Sequence, residues 1–322
     1  MTQAVRVLIH TDDTAPFAKG LRARFPDVDV AECTTYADLP SMVARFCPEV
    51  VYTVRFAGTP GYPRAALFQE GGPRWIANGG AGTDHFGFWD PAHCTVTNAA
   101  GVAADVMAEY VIGGFLHFTL DVPGLQEDKA ARRWQARRVD HLKGKTLLII
   151  GLGHTGRAIA ARAQAFGMKV IGTRATPQPM EHVDEVHSAA ALLELVPQAD
   201  FIAVCTPLTP GTRGALGRVE FTAMKRGVYV ADVSRGGVVD QSALFEALTD
   251  GTVAGAALDV FETEPLPLDS PFWTLPNVLI SPHCSSVYEG WAEASFELFL
   301  SNLERWIAGE TLLNIVDPQR GY

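Results

Sequence analysis

The chain has 322 residues, 48% of them hydrophobic and 19% charged, and 26 Lys+Arg against 36 Asp+Glu give a formal charge of −10. That length suits about two domains, each with its own core. The acidic balance argues against DNA or RNA, which need a dense basic footprint, and against an anionic membrane surface.

In chain order, the apolar run within residues 1–10 is short and gives way to Thr11-Asp12-Asp13, unlike a signal peptide. Strands are expected at 5–9, 28–31, 50–54, 75–78 and 94–97, making a first, smaller α/β unit over residues 1–98. The most apolar long stretch, 102–120, is broken by Asp105, Glu109 and His117, so it reads as a buried helix over 104–120 and not a membrane span. The basic stretch 129–138 reads as helical. Five cysteines (Cys33, Cys47, Cys94, Cys205, Cys284) have no C-x-x-C pair and read as reduced, buried thiols of a cytoplasmic protein, with no zinc site.

From residue 145 onward one rhythm repeats: an apolar run, a turn, an amphipathic stretch. The runs at 145–151, 168–173, 200–206, 227–233, 253–260 and 277–282 imply a parallel sheet covered on both faces. Alanine-rich 157–166 should be helix, and Asp240 should cap a helix that ends before Gly251. A last helix is expected at 287–307. The fold class is therefore α/β, two Rossmann-like or flavodoxin-like domains with doubly wound parallel sheets. Residues 99–284 form the dinucleotide-binding domain, and 1–98 with 285–322 form a discontinuous substrate domain.

Gly151-Leu152-Gly153-His154-Thr155-Gly156 follows an apolar strand and opens a helix, the context that a G-x-G-x-x-G dinucleotide fingerprint requires. The next strand ends in Thr173-Arg174, and the first carboxylate beyond it is Glu181. An acid there would repel a 2′-phosphate, whereas an arginine forks onto it, so NADP(H) is expected over NAD(H).

Ligands of open parallel sheets bind beyond the carboxyl ends of the strands. Three such ends deliver Arg235, Glu264 and His283. Reduction of a 2-oxo acid needs a carboxylate clamp, which suits a guanidinium, and a proton donor, which suits an imidazole paired with a carboxylate. Asp259 is placed to accept from the nicotinamide carboxamide. With these motifs in this order and spacing, Gly151–Gly156, Ser234-Arg235-Gly236-Gly237, the 258–265 segment and Ser281-Pro282-His283 resemble the D-isomer-specific 2-hydroxyacid dehydrogenase family over nearly the whole chain.

The resemblance implies that Arg235, Glu264 and His283 are the catalytic trio, and that Thr206, Pro207 and Val233 adjoin the cofactor with Gly151, Gly153, His154, Thr155, Gly156, Thr173 and Arg174. It implies that Ala81 and Gly82 hold the substrate carboxylate through backbone N–H groups, while Arg55 either reaches the same pocket or stands on the surface. It also implies a homodimer, with Trp134 at its interface or else in the core of its own chain. The expected activity is reduction of a glyoxylate- or hydroxypyruvate-like 2-oxo acid to the D-2-hydroxy acid. Phosphite oxidation and a non-catalytic NADPH-sensing, corepressor-like protein are the alternatives. Gln is expected at position 264 in a formate enzyme, and a further regulatory domain in the 3-phosphoglycerate branch. Thr155 and Cys284-Ser285-Ser286 depart from the family pattern.

Overall fold

The structure is a computed structural model and describes residues 4–55 and 61–321. The chain begins with β1 (Arg6–His10), α1 (Ala15–Arg24), β2 (Asp29–Cys33), α2 (Leu39–Phe46), β3 (Val50–Thr53), β4 (Trp75–Asn78) and β5 (Thr95–Thr97). It continues through α3 (Ala104–Thr119), α4 (Val122–Ala130), β6 (Thr146–Ile150), α5 (His154–Ala165), β7 (Lys169–Thr173), β8 (Glu185–His187) and α6 (Leu192–Leu195). Then come β9 (Phe201–Val204), α7 (Arg218–Ala223), β10 (Val228–Asp232), α8 (Gln241–Asp250), β11 (Val253–Leu258), β12 (Val278–Ile280) and α9 (Trp291–Ala308).

Two compact units result, one of Met1–Val102 with Tyr288–Tyr322 and the other of Ala103–Val287. The first carries a five-stranded parallel sheet in the order β2-β1-β3-β4-β5. Side chains alternate across it, as a strand dictates. Val7, Ile9, Val50, Tyr52 and Trp75 face α1 and α9, while Leu8, Val51 and Ile76 face α2 and the Phe86–Trp89 segment. Each such fully buried side chain contributes about 1.5–3 kcal/mol through removal from water.

The second unit carries a seven-stranded parallel sheet in the order β12-β11-β10-β9-β6-β7-β8. Its central strands are apolar without alternation because both faces are covered. Leu148, Ile202 and Val230 enter one core layer, and Leu147, Phe201 and Ala231 the other. The α/β class with doubly wound parallel sheets is the one expected. Asp240 caps α8 by accepting from the Ala243 N–H at 3.0 Å, and Gly251 ends it at φ +79°.

Some local expectations need correction. The sheet has a seventh strand, β8, whose three residues are all only partly buried, so it carries no apolar signal. Helix α5 starts at His154 instead of 157, because the third glycine of the motif lies inside its first turn. The 129–138 stretch is not a helix: α4 ends at Ala130, Arg132 takes φ +53°, and Arg133 and Arg137 fold back onto the buried carboxylate of Asp128. Helix α9 begins at Trp291, since Gly290 at φ +88° interrupts the run. Cys47 and Cys284 are exposed, not buried, because one follows a helix end and the other lies on a surface loop. No helix among the described residues is long and apolar enough to cross a membrane.

Candidate active site

In the Ala103–Val287 unit, β6 runs into the glycine turn. Gly151 has φ +106°, and a Cβ there would lie 2.9 Å from the Thr206 backbone nitrogen, so any side chain would be both strained and in collision. At Gly156 a Cβ would come within 2.1 Å of the Gly151 carbonyl oxygen. These two glycines let the strand, the turn and α5 pack in direct backbone contact. At Gly153, by contrast, a Cβ would meet nothing within 4 Å, and no side chain caps the N-terminus of α5 that starts there. The turn therefore offers open space in front of unpaired helix N–H groups, a setting that favours an anion.

His154 is exposed, and its Nδ1 lies 3.3 Å from an Arg157 Nη2. Partial desolvation of the ring and the Arg157 charge both lower its pKa. Thr155 Oγ1 reaches the Met107 sulfur at 3.8 Å. Thr173 is buried at the end of β7 and accepts from the Gly151 and Leu152 N–H groups. Arg174 follows it, half-buried, with Nη1 3.4 Å from the Met180 sulfur. Thr206 and Pro207 are half-buried just past β9, with the Pro207 carbonyl accepting from Thr212 Oγ1 at 2.6 Å, and Val233 is buried just past β10.

Arg235 sits two residues further on. The turn before it is fixed by Ser234, whose Oγ and N–H both donate to Asp232 Oδ1, at 2.5 and 3.0 Å. Burial pushes the Asp232 carboxyl up to about 7, and the neighbouring Asp259 adds to this, against the pull of Ser234 and Arg235. One Arg235 Nη1 donates to the Ser234 carbonyl at 2.7 Å. A Cβ at Gly236 would lie 2.0 Å from the Phe261 carbonyl oxygen, so the turn after β10 rests directly on the loop after β11.

That second loop carries Glu264. Its Oε1 accepts from the Phe261 N–H at 2.9 Å, and its Oε2 lies 2.8 Å from His283 Nδ1. Burial raises the Glu264 carboxyl, but the His283 and Phe261 hydrogen bonds and the Arg235 charge outweigh it, leaving the pKa below its ordinary value. His283 stands on the loop after β12 at φ +53°, and its Nε2 makes no hydrogen bond among the described residues. Arg235, Glu264 and His283 thus meet at the carboxyl ends of three adjacent strands, β10, β11 and β12. Asp259 is buried at the end of β11 with its carboxylate turned into this loop, where it accepts from Ser281 Oγ and from the Cys284 and Ser285 N–H groups. Slight desolvation of the sulfur and the Asp259 charge push the Cys284 thiol up, away from a reactive thiolate.

In the Met1–Val102 unit, the turn after β4 has its carbonyls held inward. Asn78 Nδ2 donates to the Gly80 and Gly82 carbonyls, Asn98 Nδ2 to that of Ala81, and Ser295 Oγ to that of Gly79. The N–H groups of Gly80, Ala81 and Gly82 make no hydrogen bond among the described residues, which leaves a small nest of donors. Arg55 is exposed just past β3. The two asparagines escaped sequence reasoning because their work is done by side chains on the turn's own backbone, and Asn98 reaches that turn from beyond β5, 17 positions from Ala81. Trp134 is fully exposed, which removes the intrachain-core alternative for it.

The family model described as D-isomer specific 2-hydroxyacid dehydrogenase, NAD binding domain, matches residues 112–285. A D-3-phosphoglycerate dehydrogenase of Methanocaldococcus jannaschii is 36% identical over 231 residues, 69% of this chain but 43% of that protein, so the chain spans under half of that relative's length. A glyoxylate reductase of Thermococcus litoralis is 35% identical over 232 residues, covering 69% of this chain and 70% of the relative. The crystal structure of a D-isomer specific 2-hydroxyacid dehydrogenase from Xanthobacter autotrophicus, in complex with NADPH and MES, superposes with a TM-score of 0.83 at 29% identity, covering 99% of this chain and all of the other. With 54% of its residues inside the family model and a relative matched over more than two thirds of its length, the chain belongs to the D-isomer specific 2-hydroxyacid dehydrogenase family.

Proposed function

We propose that this protein reduces a small 2-oxo acid, of the glyoxylate or hydroxypyruvate kind, to the D-2-hydroxy acid with a nicotinamide dinucleotide. The observation that carries the reading is the Glu264–His283 pair at 2.8 Å, beside Arg235, in the same unit as the glycine turn. The hand of the product is taken from the family alone.

The residues present fit a dinucleotide. Gly153 leaves space where a side chain would obstruct a pyrophosphate, and α5 presents its N-terminus there. Gly151, Gly153, His154, Thr155 and Gly156 would hold the pyrophosphate side, Thr173 and Arg174 the adenosine ribose, and Thr206, Pro207 and Val233 the nicotinamide side. When bound, the cofactor supplies the hydride that the carbonyl carbon receives. Arg174, with no carboxylate close behind it in sequence, favours the 2′-phosphate of NADP(H).

Arg235 binds the substrate carboxylate through its fork of N–H groups and polarises the adjacent carbonyl. In the Met1–Val102 unit, the backbone N–H groups of Ala81 and Gly82, free among the described residues, suit a substrate carboxylate, and the exposed Arg55 is a further candidate for an anionic group. His283, oriented through Nδ1 by Glu264, donates the proton at Nε2 to the oxygen that becomes the hydroxyl. Asp259 serves this chemistry by fixing the loop that bears His283. Residues up to 98 and from 285 onward constitute the substrate domain, and residues 99–284 the cofactor domain. The fully exposed Trp134 is assigned to the interface of a homodimer.

The test is a panel of glyoxylate, hydroxypyruvate, pyruvate and bulkier 2-oxo acids, each with NADPH and NADH in parallel. Loss of the reduced-nicotinamide absorbance, faster with NADPH, is expected. No oxidation of either cofactor by any member of the panel would overturn the assignment.

A further inference from the structure

Met107 and Tyr110 lie three residues apart on α3 and so share one face of the helix. Met107 meets Thr155 at the start of α5, 3.8 Å away. Tyr110 reaches the other side of the site: its hydroxyl oxygen lies 2.7 Å from Ser281 Oγ, which in turn lies 2.5 Å from Asp259 Oδ1. Tyr110 belongs to no motif, and 171 positions separate it from Ser281.

The direction of this chain follows from proton counting. A serine hydroxyl has one proton, and a carboxylate only accepts. The Ser281 proton therefore goes to Asp259, and the Tyr110 proton goes to Ser281. Burial raises the Tyr110 hydroxyl to about 12, so it keeps that proton at any ordinary pH. Asp259 also accepts from the Cys284 N–H at 2.8 Å and from the Ser285 N–H at 3.1 Å to each oxygen, while its backbone carbonyl accepts from the His283 N–H at 2.9 Å. Donors thus arrive from both sides of His283.

Such a lock is needed because His283 holds φ +53°, a conformation that a side-chain-bearing residue keeps only when its surroundings enforce it. The Ser285 hydroxyl gives no help, since it is buried without a partner among the described residues.

We infer that Tyr110 is a positioning residue for His283, its hydroxyl completing, through Ser281, the hydrogen-bond set by which Asp259 fixes residues 281–285. The inference rests on the reading of His283 as the proton donor, and the experiment separates the two. Amide hydrogen exchange over 282–287 in the cofactor-free protein should run about 3- to 10-fold faster in Tyr110→Phe and in Ser281→Ala, the loss of one hydrogen bond in each case. The double variant should exchange no faster than the quicker single one, because both cut the same chain. With glyoxylate and NADPH, kcat should fall by about 3- to 10-fold while KM for NADPH stays within about 2-fold. Unchanged exchange in both single variants, or faster exchange with unchanged kcat, overturns the positioning role. If the wild-type protein turns over no 2-oxo acid, the proposed function falls, and the exchange rates still decide the link from Tyr110 to the loop.

Discussion

Glu264 grips His283 with one carboxylate oxygen while the other is tied to the Phe261 backbone N–H, so the carboxylate is oriented as well as near. A carboxylate held at both oxygens cannot swing away from the imidazole without breaking its own loop. This fixes which ring nitrogen is occupied and leaves Nε2 without a hydrogen bond among the described residues.

Removal of the imidazole should be the most damaging single change at the site. His283→Ala is expected to lower turnover of the best 2-oxo acid by about 10²–10⁴. Glu264→Gln, which keeps the shape but not the charge, should cost about 10- to 100-fold. Steady-state rates across pH check both, and near-normal activity in either variant would remove that residue from its role.

The Glu264 carboxyl has a pKa below its ordinary 4.5, so its ionised pairing is present above that value and is lost only as pH falls through the lower one. A carbon-detected titration of this carboxyl should therefore show its midpoint below 4.5. The midpoint should return toward 4.5 in His283→Ala, because its strongest hydrogen-bond donor is gone.

Cofactor choice should follow Arg174. Arg174→Asp places a negative charge where the 2′-phosphate would bind, and the ratio of kcat/KM for NADPH over NADH should drop by about 10-fold or more. An unchanged ratio assigns the arginine to the surface.

Asp232 has the opposite sign to Glu264. Its folded pKa of about 7 lies above the 3.8 of an unfolded aspartate, so the fold prefers the protonated form. Stability tied to it is lost as pH rises from 3.8 toward 7, and by pH 8 the buried charge opposes folding. Asp232→Asn retains an acceptor for Ser234 and should raise Tm at pH 8 by roughly 3–6 °C more than at pH 5. Equal shifts at the two values would refute the raised pKa.

Trp134 stands fully exposed on a segment pinned by Arg133 and Arg137 to Asp128. A large aromatic side chain presented on an ordered arm suits an interface with a second copy. Sedimentation should find a dimer in the wild type and a shift toward monomer in Trp134→Glu, with the arm's ion pairs intact.

The parallel sheet and the three strand ends that carry Arg235, Glu264 and His283 could be read from the chain because each of these residues lies within six positions of the end of an apolar strand. The strand–end rule needs no knowledge of side-chain contacts. What escaped is instructive: β8 is an edge strand with two ionisable residues among three, and 129–138 has helical composition overruled by ion pairs to Asp128. The Tyr110–Ser281 contact was equally silent, since its two hydroxyls meet only after β12 has been laid beside β11 and α3 has packed on the sheet.

Gly236 carries no reactive group, yet its hydrogen faces the Phe261 carbonyl at a separation where even a methyl would have to occupy the oxygen's own position. In a saturation-mutagenesis screen, position 236 should consequently score as harshly as the residues that touch substrate. A ranking of positions by sensitivity alone would mistake this hinge-pin of bare backbone for a chemical participant.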